Sequence, residues 1–193
     1  MGTGLHEKTR AQDVIATWPE DSREVAQGVI DTHGEPDEAT ESRLIWHDRG
    51  AWHELIAYRE TWRHEFPFPH NDCLESVTRY AVPLEKVRQI AEFDGSVVVQ
   101  RTRGHLSATC HDEQANFLAL NLAHDIASGL RTVGEARQAY VESMVDSRAG
   151  RPTPYMEKLQ FEPQSDAADP DRAVTSAHEL RLRAEASKRS AEE

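Results

Sequence analysis

Residues 96–110, SVVVQRTRGHLSATC, decide the fold class. Two runs of small and branched residues flank Arg103-Gly104, and glycine accepts the positive φ that a tight hairpin turn demands. A two-residue Arg103-Gly104 loop sets Val97, Val99, Leu106, Ala108 and Cys110 on one face and Gln100, Thr102, His105, Ser107 and Thr109 on the other. An apolar face opposite a polar one marks an antiparallel sheet covered on one side, and a one-residue slip would destroy that pattern.

The same Arg-Gly chemistry recurs in residues 43–60, RLIWHDRGAWHELIAYRE, around Asp48-Arg49-Gly50. A three-residue loop with Gly50 left-handed pairs Trp46 with Trp52. A two-residue Arg49-Gly50 turn pairs Trp46 with His53, and the sequence leaves both registers open. Between the hairpins, residues 73–82 (CLESVTRYAV) read as a linking strand that ends at Pro83.

Helical spacing surrounds these strands. Val25, Ala26, Val29, Ile30 and His33 recur at helical intervals over residues 22–33, with Gly34 as the stop and Asp21 and Glu24 as a capping pair. Residues 83–95 place Leu84, Val87, Ile90 and Phe93 on one face, with Pro83 in the first turn and Gly95 as the stop. Residues 111–129 form a longer helix, apolar around most of its circumference, which predicts burial across the sheet. Asn116 falls on its apolar side, so its amide is expected to bond a loop or sheet backbone. Asn121, His124 and Asp125 share a face that reads as a solvated polar stripe. Thr132 and Glu135 make a capping box for a last helix striped by Val133, Ala136, Tyr140 and Met144.

The expected fold is therefore α+β, an antiparallel sheet of about five strands with helices packed on one face. It occupies residues 11–147 as one domain, with residues 1–10 a flexible N-terminus. Residues 148–163 contain three prolines and read as an extended arm, whose Tyr155, Met156, Leu159 and Phe161 favour docking on the domain itself. Residues 164–193 are polar and read as a disordered or marginally helical tail.

Composition excludes several function classes. The chain has 193 residues, 34 acidic against 22 basic, and a net charge of -12, which repels phosphate backbones and anionic membranes. The expectation is no nucleic acid and no membrane as partners. Only four of the basic residues are lysine, a balance that suits either a halophilic source or GC-rich coding. Two cysteines, Cys73 and Cys110, are too few for a disulfide scaffold, and no run of 18 apolar residues occurs. The chain reads as cytoplasmic. GxSxG, GxxxxGK[ST], GxGxxG, HExxH and paired CxxC are all missing from the sequence.

Two constellations remain. In residues 64–73, HEFPFPHNDC, His64, His70 and Cys73 offer three of the four ligands that zinc or another divalent transition metal takes at about 2.0–2.3 Å. Asp72 is a further ligand or an orienting partner, and His47, His53, Cys110 or His111 could arrive from the hairpins. Pro67 and Pro69 alternating with Phe66 and Phe68 equally describe a stiff connector anchored on the core. The second constellation, Trp46, His47, Trp52 and His53, could line a mouth for a small aromatic or anionic ligand, or pack as cross-strand pairs. Two functions stay open: a non-enzymatic accessory or ligand- or protein-binding domain, which the missing catalytic motifs favour, and as the alternative a small metal-dependent enzyme using segment 64–73 with Cys110 or His111. The arm offers a surface for a protein partner, and an uncovered sheet face would invite a homodimer.

Overall fold

The computed structural model describes residues 11–167 and 169–191; the expected flexible N-terminus, residues 1–10, lies outside them. Helices α1 (Ala11–Ile15) and α2 (Glu20–His33) precede strands β1 (Glu38–Ala39), β2 (Arg43–Arg49), β3 (Trp52–His64) and β4 (His70–Arg79). A 3-10 turn at Leu84–Lys86 runs into α3 (Val87–Phe93), followed by strands β5 (Val97–Gln100) and β6 (His105–Cys110). Helices α4 (Glu113–Ser128), α5 (Val133–Arg148), α6 (Pro154–Glu157) and α7 (Ala177–Ala191) complete the described chain.

The fold is α+β, with a six-stranded antiparallel sheet in the order β1-β2-β3-β4-β6-β5. The sixth strand, β1, is two residues of the acidic loop pairing with Ile45 and Leu44 at the sheet edge. Two cross-strand rows define the buried face. Leu44, Ala57, Leu74 and Cys110 align in one, and Trp46, Leu55, Ser76, Ala108 and Val97 in the next. Most of these are fully buried. The opposite face carries the row Ile45, Ile56, Glu75 and Thr109, all partly exposed.

Both hairpin registers differ from the sequence expectation. In the second, Gln100 pairs with His105 and Val97 with Ala108, so the loop holds four residues, 101–104, rather than two. A shift of two leaves every side chain on its expected face. Gly104, at φ +63°, lies directly beneath the backbone of Ala167, so the turn needs glycine for space as well as for its dihedral. In the first hairpin Trp46 pairs with Leu55 and Arg49 with Trp52, so neither expected partner of Trp46 is correct. The turn is Gly50-Ala51, with Gly50 at φ +60°.

Helix α4 is the centre of the helical layer. Ala115, Leu118, Leu120, Leu122 and Ile126 are all buried, and each leucine removed from water contributes about 1.5–3 kcal/mol. The Asp112 carboxylate caps its N-terminus by accepting from Ala115 N–H, and Gly129, left-handed at φ +79°, ends it. Asn116 donates to Leu74 O at 2.9 Å and to Ser76 Oγ at 2.8 Å, tying the helix to β4. Helix α5 begins with the Thr132–Glu135 capping box and turns Ala136, Tyr140 and Met144 inward. Helix α2, by contrast, starts at Pro19 without a side-chain cap, so Asp21 and Glu24 do not form the expected pair.

The stripe expected to be solvated is covered. Asn121 and Asp125 are buried because the segment around α6 lies over them. Asn121 donates to Tyr155 O and Lys158 O and accepts from Gln160 N–H, while Phe161 stacks on His124 at 4.6 Å. Met156 and Leu159 are buried against the same helix, whereas α7 buries none of its side chains. Among the described residues, no helix is long and apolar enough to cross a membrane.

Candidate metal centre

Strand β3 is 13 residues long, and its register against β4 shifts between Ala57 and Trp62. Past that irregularity Trp62 faces Asp72, Arg63 faces Asn71 and His64 faces His70. Directly opposed residues put their side chains on one face, and Asp72 lies two places from His70 on that same face. The connector between the strands packs as its prolines and phenylalanines imply. Phe66 rests on Tyr140 and Phe93 under the Arg137 guanidinium, 3.9 Å from the ring centroid, and Phe68 lies beneath Arg148.

His64 and His70 converge, with ring centroids 5.1 Å apart. The Asp72 carboxylate lies against both: Oδ2 is 2.9 Å from His64 Nδ1, and Oδ1 is 3.0 Å from His70 Nε2. One ligand-type atom from each of the three residues falls within 4.8 Å of the others. Tetrahedral zinc, with bonds near 2.0–2.2 Å, sets its ligand atoms roughly 3.3–3.6 Å apart.

These contacts are close without being hydrogen bonds. His64 Nδ1 and Asp72 Oδ1 are buried and have no hydrogen-bond partner. The tautomer of His70 follows from Phe68, whose carbonyl oxygen lies 2.6 Å from Nδ1. A carbonyl can only accept, so Nδ1 carries a hydrogen, and Nε2, which faces Asp72, is the nitrogen left for a metal. A lone pair facing a carboxylate in a buried site is repulsive until a proton or a metal cation lies between them.

A second carboxylate completes the surroundings. Asp94, at the C-terminal end of α3, places Oδ1 3.3 Å from His64 Nε2 and accepts there from Ser96 N–H and Oγ–H. Its side chain is 1% exposed and that of Asp72 4%. Burial pushes the Asp72 carboxyl up, with His70, His64 and His111 pulling it down and Asp94 adding to the rise.

Cys73, named with the histidines from sequence, is the next residue along β4 and lies outside this group of mutually close atoms. Burial pushes its thiol up to about 12. Burial also lifts the Cys110 thiol well above its ordinary range, while its hydrogen bond with Tyr140 lowers it. His111 abuts His70 at 5.2 Å between ring centroids, with Nε2 3.1 Å from Asp112. Asp94 was not legible as a site residue. Its only sequence signal is the Asp-Gly-Ser turn at 94–96, which says nothing of a strand 30 residues earlier.

The four residues of the other constellation part company. Trp46 is buried and donates from Nε1 to Gly34 O at 2.8 Å, while Trp52 donates to the Glu113 carboxylate and stacks on Phe117. His47 leaves the strand on the opposite face, 2.8 Å from Glu38. His53 sits against His105 and accepts at Nδ1 from Arg79.

An open cleft of about 570 Å³ adjoins the three-residue cluster, and His64 and Asp72 form part of its wall. No protein family, curated protein or solved structure matches the chain.

Proposed function

We propose that the protein is metal-dependent, holding one divalent first-row transition ion, zinc or a close relative, through His64 Nδ1, His70 Nε2 and the Asp72 carboxylate. The observation that carries this reading is the convergence itself: one ligand-type atom from each of three residues lies within 4.8 Å of the others, and His64 Nδ1 and Asp72 Oδ1 are buried there without a hydrogen-bond partner. Two further contacts support it. The Phe68 carbonyl fixes the His70 tautomer, and Asp94 faces the other nitrogen of His64, which are the outer partners that metal-bound histidines commonly have. Three protein ligands beside an open cleft leave coordination free for a small molecule, the composition of catalytic rather than structural sites. When bound, such an ion supplies Lewis-acid polarisation of an oxygen. Of the two functions the sequence leaves open, the geometry favours the enzyme.

The test is elemental analysis after zinc loading and dialysis. Near-stoichiometric zinc in the wild type and its loss in His70→Ala support the proposal. Metal-free protein whose melting is unchanged by zinc overturns it.

A further inference from the structure

The cleft beside the metal ligands carries a pattern of its own. Its volume, about 570 Å³, lies within the range of small-molecule sites. Trp62 stands directly across the β3–β4 ladder from Asp72 and lines the same cleft as His64 and Asp72. It is 42% exposed, and Val98 in the same cleft is 53% exposed. Trp62 is also held in place, packed edge-on against Tyr58 at 5.1 Å between ring centroids. A fixed, exposed indole beside an exposed valine offers a flat apolar surface that a ligand, rather than water, covers best.

Charge in the cleft points the same way. On a chain of net charge -12, the cleft holds two arginines, Arg43 and Arg63. Among the described residues Arg43 has no carboxylate within ion-pair distance; its guanidinium lies 5.9 Å from the Tyr58 ring centroid. Among the described residues, the one ion pair of Arg63 is with the exposed Glu65. The other carboxylate in the wall, Glu75, already accepts from Tyr58 Oη–H at 2.8 Å. A divalent ion held by two neutral imidazoles and one carboxylate keeps a charge of +1 over its own ligands, and although Asp94 beside His64 offsets that charge at longer range, the open coordination position still suits an anionic oxygen.

We infer that the cleft binds a small organic anion with a flat apolar body, its carboxylate toward the metal and its ring against Trp62 and Val98. The inference rests on the metal reading above. Its probe is 2-naphthoate, titrated calorimetrically into zinc-loaded protein, with 2-naphthamide as the neutral twin. Naphthoate should bind saturably, and naphthamide roughly tenfold or more weaker. Metal-free protein should lose a similar factor, as should Trp62→Ala with its zinc content intact. Trp62→Phe should recover part of the loss, and Arg43→Ala should weaken naphthoate but not naphthamide. Zinc-loaded protein that ignores naphthoate, or binds acid and amide alike, or binds equally well in Trp62→Ala, overturns this inference and leaves the metal site standing. Failure to take up zinc overturns both.

Discussion

Asp94 Oδ1 lies 3.3 Å from His64 Nε2, while Asp72 Oδ2 lies 2.9 Å from Nδ1 of the same ring. The imidazole is thus held between two buried carboxylates, and only one of them belongs to the converging group. Asp94→Asn keeps the shape and the acceptor that Ser96 needs but removes the charge beside Nε2. Zinc affinity is expected to fall about 10- to 100-fold, the usual effect of losing such an outer partner, with the metal-free fold intact. Competition with a chelating dye measures this, and an unchanged affinity removes Asp94 from the site.

Asp72→Asn should separate binding from stability. Burial raises the Asp72 carboxyl above its ordinary 3.8, so its charged form is disfavoured in the folded state. The sign follows: the penalty is absent below 3.8 and grows as pH rises through the folded value. The amide carries no such penalty. Metal-free Asp72→Asn is expected to unfold at a urea midpoint no lower than that of metal-free wild type at pH 8. Zinc at 100 times its Kd should stabilise the wild type by about 2.7 kcal/mol and the variant not at all. A variant that keeps the zinc-dependent shift would sink Asp72 as a ligand.

How far the sequence reaches is plain in the second hairpin. Val97, Val99, Leu106, Ala108 and Cys110 were assigned to one face, and they occupy one face, although the loop is two residues longer than expected. Strand alternation has period two, so it sees odd slips and is blind to even ones. The long helix, its Gly129 stop and the Thr132–Glu135 box were legible because caps and periodicity are local. His64 and His70 could be suspected from composition, but their convergence depends on the shifted β3–β4 register and on Phe66 docking against α5, which no local pattern records. Asn121 and Asp125 misled for the same reason: a helical wheel shows a polar stripe but not the segment that later covers it.

That covering segment hangs largely on one amide. Asn121 satisfies Tyr155 O, Lys158 O and the Gln160 N–H, with bonds of 2.7–2.9 Å. Asn121→Ala leaves Tyr155 O and the Gln160 N–H without these partners, and Lys158 O with only the Gln160 side-chain amide, at about 1–3 kcal/mol for each group that stays buried and unpaired. The segment is expected to lift locally rather than accept that cost. Hydrogen exchange at residues 155–161 should accelerate by at least tenfold, with the sheet unchanged; equal protection in the variant would show that Met156, Leu159 and Phe161 hold the segment without the amide.

Acid should act on the same place through His124. Its ring lies between Tyr80 and Phe161, with Nδ1 2.9 Å from Tyr80 Oη, and burial lowers it below its ordinary 6.5 while Asp125 pulls it upward. His105 is lowered as well, by burial first and then by Arg103 and His53. A base lowered on folding contributes stability that is complete above 6.5 and lost as pH falls through the folded value. His47 and His111, raised chiefly by Glu38 and Asp112, work in the opposite direction, so the total pH profile mixes both signs. A variant isolates the effect. His124→Phe keeps a flat ring against Phe161 and cannot charge, so its stability relative to wild type should rise as pH falls from 7 to 5. Urea midpoints across that interval provide the measurement, and a relative stability independent of pH would mean that the wild-type ring takes up its proton in place.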